Sequence, residues 1–298
     1  MKTSLIPLLL VLTLTFTSYS QSRGVIKDSV TKEPIPFANI WVENELTGAT
    51  SDEHGEYEFK NTVTGKTLVI SSIGYEEKTI TQQPGEALIL LTPQATQLQE
   101  ILVTGKRKAS TTTIGSFKIS KVRHFYGCDE LPYMIAKYFP FDDRHTSTPF
   151  LSKLEIVTTS PIENAQFNLR FYTLDEHGLP GQAVYNKEMI ITVKKGRTVT
   201  IVDLDDKSIR MPSNGVLIAA EFLILKQNKF AFSYTLPDQT KSERKGYAPS
   251  IGTIPKEMGE NTWRYIKGTW HPIGKNSSSL PRSMGTYSEP AFKLTLSN

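Results

Sequence analysis

The period of its apolar residues is what most constrains this chain. They alternate with period two in short runs bounded by Gly, Pro, Asn and Asp, and no stretch sustains the 3.6-residue period of an amphipathic helix. Successive side chains on a strand point to opposite faces, so each run predicts a strand with one apolar face to bury. Ala38, Ile40 and Val42 share one face, while Phe37, Asn39 and Trp41 share the other. Tyr57 and Phe59 alternate with Glu56, Glu58 and Lys60; Leu68 and Ile70, then Leu88 and Leu90, continue the series to Ile101 and Val103. Two sheets bury such faces on each other, so about seven strands in roughly 80 residues predict a first β-sandwich over residues 21–104.

Turn chemistry supports this reading. In Thr50 to Tyr57, Asp52 is placed to accept backbone hydrogen bonds and Gly55 to take the positive φ that closes a hairpin, which makes Asp52 a turn-former rather than a metal ligand. From Ser116 a second β-rich region begins. Leu154 and Ile156 alternate, as do Phe167, Leu169 and Phe171 against Asn168, Arg170 and Tyr172. Met189, Ile191 and Val193 follow, then Val199 and Ile201, Val216 to Phe222, Phe230 to Tyr234, and Phe292 to Leu296. Asp175-Glu176-His177-Gly178 and Ser213-Asn214-Gly215 mark turns between them. The expectation is a larger, jelly-roll-like β-sandwich over 116–298, in an all-β chain. Pro132 leaves Cys128 to Phe139 readable as a short helix or a strand. Residues 105–115, basic and rich in Thr and Ser, read as a solvated linker able to act as a hinge.

The first twenty residues carry Lys2, an apolar run from Ile6 to Phe16, and then Thr17-Ser18-Tyr19-Ser20. That is the plan of a secretory signal peptide (1–20) with a cut at Gln21. The run is too short for a membrane span, which needs about 20 apolar residues, so the mature protein is expected not to be transmembrane. Cys128 is the only cysteine, which allows no internal disulfide and no thiol at a new N-terminus for a lipid anchor. Its expected state is a buried, inert thiol. Loss of Lys2 with the leader leaves 33 basic against 30 acidic side chains, too mild a balance to point to nucleic acid. The expected location is the periplasm, the outer membrane as an associated protein, or the medium.

Four segments in order, Gly24-Val25-Ile26-Lys27-Asp28, EPIPFANIWVEN (Glu33 to Asn44), GATSDEHGEYEF (Gly48 to Phe59) and LVISSIGYEEKTI (Leu68 to Ile80), resemble the carboxypeptidase regulatory-like domain. The resemblance implies a transthyretin-like β-sandwich of a kind abundant in exported proteins of the Bacteroidota. In zinc carboxypeptidases such a domain accompanies the catalytic unit without supplying catalysis, and in TonB-dependent receptors it forms a periplasmic extension. LQEILVTGKRK (Leu98 to Lys108) is similar to the segment by which those receptors pass from the extension into their plug. The residues that follow are too few for a plug and barrel. Two readings stand for this segment: docking to an outer-membrane receptor or other envelope protein through Glu100, Ile101, Val103, Lys106, Arg107 and Lys108, or a last strand, Glu100 to Val103, followed by the linker. FNLRFYTLDEHGLPG (Phe167 to Gly181) and SEPAFKLTL (Ser288 to Leu296) resemble the C-terminal sandwich found behind such domains in exported proteins, which implies no activity.

Catalytic motifs give little. A zinc carboxypeptidase needs a Glu three residues after a His, and the residues so placed here are Tyr57, Gly127, Thr148, Pro180 and Gly274. No Ser lies in the spacing of a nucleophile elbow. Cys128 with His124 is weak as a nucleophile and base, because nearness in sequence is no guide to a catalytic pair. No cofactor is expected. Trp263, Tyr265, Trp270 and Tyr287 lie in a stretch rich in Gly, Pro and Ser, where they are candidates either to stack on sugar rings or to pack a core. Asp203 and Asp205, with Asp206 beside them, are weak calcium candidates, or simply the acids that end a strand. The leading expectation is a non-catalytic binding or interaction protein beside outer-membrane machinery. The alternatives are a carbohydrate-binding protein using the second sandwich and a hydrolase whose carboxylates are brought together by folding.

Overall fold

The computed structural model describes residues 22–94, 110–235, 239–256, 261–274 and 287–298. The expected leader and the segment Leu98 to Lys108, with every docking candidate on it, lie outside the described residues. The first domain is built from seven strands: β1 (Arg23–Asp28), β2 (Asn39–Val42), β3 (Gly48–Thr50), β4 (Glu56–Glu58), β5 (Thr67–Ser71), β6 (Lys78–Thr81) and β7 (Glu86–Leu91). One sheet has the order β4-β1-β7, with β1 and β7 parallel, and the other the order β3-β2-β5-β6. Ile26, Ile40, Val42, Phe59, Leu68 and Ile70 fill the space between them. This is the expected sandwich.

Strand β7 departs from the expected face. Ile89 and Leu91 enter the core, whereas Leu88 is 65% exposed. Leu88 to Leu91 is apolar at every position, so alternation has nothing to choose by. The pairing Ile26↔Ile89 chooses instead, placing Ile89 in the row that β1 already buries.

The sequence Asp-Glu-His-Gly occurs twice and folds twice in the same way. Asp52 Oδ1 accepts from the His54 and Glu56 amides at 2.9 and 3.0 Å, and Asp175 Oδ1 accepts from His177 and Leu179 at 2.9 Å each. Gly55 and Gly178 both adopt φ +74°, which a side chain would oppose.

The second domain begins with β8 (Thr111–Ile114), β9 (His124–Cys128), β10 (Tyr133–Phe139), β11 (Phe150–Ser160), β12 (Ala165–Leu174), β13 (Pro180–Ala183), β14 (Ile190–Val193) and β15 (Gly196–Asp203). It continues with β16 (Val216–Phe222), β17 (Lys229–Thr235), β18 (Lys241–Lys256), β19 (Thr262–Ile266), β20 (Thr269–Pro272), β21 (Tyr287–Pro290) and β22 (Phe292–Ser297). A seven-stranded sheet runs β13-β12-β16-β10-β19-β20 with β14 beside β12. An eight-stranded sheet runs β17-β18-β11-β22-β8, with β9 and β21 on β18 and β15 on β11. Phe167, Leu169, Phe171, Ile218, Phe222 and Phe292 are among the side chains that fill the space between the two sheets. Among the described residues no helix is long and apolar enough to cross a membrane.

Three expectations change here. The expected linker 105–115 loses its C-terminal part to β8, which pairs with β22 from Leu294↔Ile114 to Ser297↔Thr111. The consecutive residues Thr111, Thr112 and Thr113 satisfy an edge strand without an apolar alternation, which is why composition suggested a linker. On β15 the inward residue is Val202, paired with buried Leu154, and Ile201 is 62% exposed. Cys128 to Phe139 is neither one helix nor one strand: β9 ends at Cys128, the chain turns through Pro132, and β10 starts at Tyr133.

Candidate functional site

The two sandwiches meet face to face. Ala38, Ile40 and Val42 point into the first core as expected, but the opposite row of β2 is also buried, against the second domain. Phe37 packs on Leu223 and Leu225, and Trp41 with Val69 packs on Leu131 and Ile266. Phe37 makes its contact from φ 56°, a left-handed conformation that costs a bulky residue energy. Gly48 donates its amide to the Glu130 carbonyl at 2.8 Å, and a Cβ there would sit 2.3 Å from Pro132.

Between these apolar contacts lies a buried polar chain. Asn39 Nδ2 donates to Glu221 Oε1 at 2.5 Å, and Thr50 Oγ1 donates to Asn39 Oδ1 at 3.1 Å while accepting from the Ile224 amide at 2.9 Å. Glu221 Oε2 accepts from Asn168 Nδ2 at 3.0 Å and from Arg170 Nε at 2.8 Å. Glu188 receives Arg170 Nη1 at 3.1 Å and also Asn168 Nδ2. Burial works against the Arg170 charge, but Glu221 and Glu188 outweigh it and hold the guanidinium above its usual range. Burial, with the Glu221 charge, raises the Glu188 carboxyl against the pull of Arg170. Both carboxylates are thus engaged by Arg170 and Asn168, and Glu221 also joins the domains through Asn39. The hydrolase reading has no support from this pair.

At the edge of the junction a cleft of about 740 Å³ opens between the domains. Its floor includes Leu131, Tyr133 and Ile266, and Leu46 from the first domain stands on its rim. Tyr133 Oη donates to the Gly127 carbonyl at 2.8 Å, and burial pushes its phenol well above the usual range. Lys60 from the first domain pairs with Glu130 from the second. The far wall is Glu243, Arg244 and Lys245, on the part of β18 that leaves the body of the sheet as a ribbon with β17. Over Lys241 to Gly246, β18 has β17 as its one ladder among the described residues. Its other edge flanks the cleft.

The residues singled out in the sequence fare differently. Trp263 is buried against Met134, Ala136, Leu217 and Ala219 and offers no face to a ligand. Trp270 is half-buried, its ring 5.3 Å from that of Tyr172 and 5.1 Å from that of Tyr265. Burial pushes the Tyr265 phenol up to about 12, with Glu77 and Glu221 adding to the shift. Tyr287 starts β21 opposite Lys256, on a strand of the other sheet. Asp203 Oδ1 accepts from the Asp205 amide at 3.0 Å and Asp205 Oδ1 accepts from Ser152 at 2.7 Å, so these acids close β15. Among the described residues no group of three or more His, Cys, Asp or Glu is placed to hold a metal ion. Cys128 is buried, donates Sγ–H to the Leu131 carbonyl at 3.3 Å, and is pushed up to about 12 by burial. His124, exposed four residues earlier on the same strand, does not pair with it.

The sequence reading missed the junction. Glu221, a lone acid inside the otherwise apolar VLIAAEF, was the available signal: a charge in a fully buried strand requires partners.

Residues 22–103 match the family model of the CarboxypepD_reg-like domain. The N-terminal sandwich is a CarboxypepD_reg-like domain. The interface side of this CarboxypepD_reg-like domain is the β3-β2-β5-β6 sheet. No curated protein matches the chain. Among solved structures, the clostridial cysteine protease Cwp84 after propeptide cleavage is similar at 10% identity and a TM-score of 0.36, over 83% of this chain and 44% of that one. The infectious bursal disease virus Gx strain is similar at 10% identity and a TM-score of 0.25, over 93% of this chain and 62% of that one. This chain spans less than two thirds of those chains, and likenesses at these scores say nothing of what it does.

Proposed function

We propose that this is a non-catalytic, exported binding protein of the cell envelope, and that the cleft between its CarboxypepD_reg-like domain and its second sandwich takes an extended peptide segment of an envelope partner. The single observation that carries this reading is the construction of the cleft. Its walls come from both domains, and one wall is an edge of β18 that pairs with no strand among the described residues. An open edge gives an incoming strand main-chain donors and acceptors, while flanking side chains give selectivity. Lys60, Arg244 and Lys245 stand with Asp129, Glu130 and Glu243 around an apolar floor, a mixed-charge lining suited to a peptide bearing both signs.

The test is photo-crosslinking in intact cells from a probe at Lys245, with a probe at Leu179 as control and a variant lacking Leu98 to Lys108. A defined envelope protein captured from Lys245 alone, and retained in the deletion variant, supports the cleft. If capture depends instead on Leu98 to Lys108, that segment is the docking site, and if the protein comes out alone the binding reading fails. The sugar-stacking alternative now rests on Trp270 and Tyr265; unchanged glycan binding in Trp270→Ala would remove it.

A further inference from the structure

The second edge of the same ribbon leads to a separate conclusion. Strand β17, Lys229-Phe230-Ala231-Phe232-Ser233-Tyr234-Thr235, ends the eight-stranded sheet, and among the described residues it pairs with β18 alone. Exposed edges are normally blunted by central charges, Pro or a bulge, because an open row of amide and carbonyl groups recruits other strands. Residues 230–235 carry none of these, and the β17–β18 register runs without a break from Lys229↔Tyr247 to Thr235↔Lys241. Phe230 and Phe232 stack with ring centroids 5.8 Å apart, and Phe232 is 41% exposed. A two-stranded ribbon is itself marginal in water and gains from a third strand.

We propose that β17 pairs with β17 of a second copy of this chain, antiparallel, on a twofold axis at Phe232. The sequence is self-complementary in that register. Phe232 meets its own copy, Phe230 stands opposite Tyr234, and Ala231 stands opposite Ser233. Lys229, the one charge on the strand, stands opposite Thr235 rather than its own copy, so no like charges face each other. Positions 230 and 232 of both strands then share one face, which gathers four phenylalanine side chains about the axis. Such an isologous contact closes as a dimer and does not propagate into a filament. It leaves the β18 edge to the cleft.

Sedimentation equilibrium of the mature protein across a wide concentration range reads the association directly. A concentration-dependent dimer is expected, and Phe232→Lys, which sets two ammonium groups on the axis, is expected to weaken it about tenfold or more with circular dichroism unchanged. Phe232→Cys under mild oxidation by diamide is expected to give a disulfide-linked dimer on non-reducing gels. Leu179→Cys, on a distant exposed loop, is expected to give none. Cys128 is 4% exposed and does not interfere. A monomer at every concentration, a dimer indifferent to Phe232→Lys, or a dimer that Phe232→Cys does not link would each overturn the proposal.

Discussion

At the scale of single residues, the informative positions are those whose surroundings leave no room for exchange. Gly48 lies against Pro132 across the junction, where a methyl group must push one domain away from the other. Gly48→Ala is expected to cost roughly 1–3 kcal/mol, as overpacking does in a close-packed interior, read from the urea midpoint. Lys137 is buried in the second domain, its Nζ 2.6 Å from Glu289 and 3.2 Å from the Phe292 carbonyl. Burial lowers the Lys137 pKa, with Glu289 opposing. Glu289→Gln strands a buried ammonium and is expected to destabilise by about 3–5 kcal/mol, whereas the double variant Lys137→Met with Glu289→Leu is expected to be near neutral or stabilising. Chemical denaturation of both variants checks the pair; equal losses in the two would refute the account.

At the scale of elements, β2 serves both the first core and the junction, because both of its faces are buried. One row completes the first core and the other is the floor of the junction. Phe37→Ala keeps the left-handed backbone and loses the contact with Leu223 and Leu225, so a loss of about 3–5 kcal/mol is expected in thermal or urea unfolding. Elements also show where pattern and register compete. In β7 and β15 the apolar residues run consecutively, so a one-residue slip of the reading costs nothing in sequence terms but moves Leu88 and Ile201 to solvent. The twin Asp-Glu-His-Gly turns are the opposite case: local hydrogen bonds and one glycine decide them, and the same four residues give the same turn in two different domains.

At the scale of the whole molecule, the buried hydrogen bond from Asn39 to Glu221 crosses between the two sandwiches, and Arg170 and Glu188 continue it inside the second. Separation would take Asn39 away from Glu221 Oε1 and expose Phe37, Trp41 and Val69. A single cooperative unfolding transition, coincident by fluorescence and circular dichroism, is therefore expected of the intact chain. Two resolved transitions would refute it. The same cluster sets a pH dependence. Glu188 holds its proton to a higher pH in the folded state than its ordinary value of 4.5. The folded state is then favoured on the acid side, and this contribution is lost as pH rises from 4.5 through the raised folded value. Glu188→Gln is expected to flatten that decline in urea titrations across the window.

What the sequence by itself determined is whatever neighbours along the chain decide. The period-two runs made the chain all-β, Asp52 with Gly55 made the hairpin, and the segments from Gly24 to Ile80 carried the resemblance that the family match at 22–103 supports. The tertiary structure alone decided which face of each strand mattered. Asn39 and Trp41 read as an ordinary outer row until Glu221, 182 residues away from Asn39, was found accepting its hydrogen bond. The four aromatics looked alike in sequence, and packing buried Trp263, half-buried Trp270 and set Tyr287 in the other sheet. Alternation states that a strand has two faces. What each face meets depends on long-range pairing and on the second domain, and neither leaves a local mark on the chain.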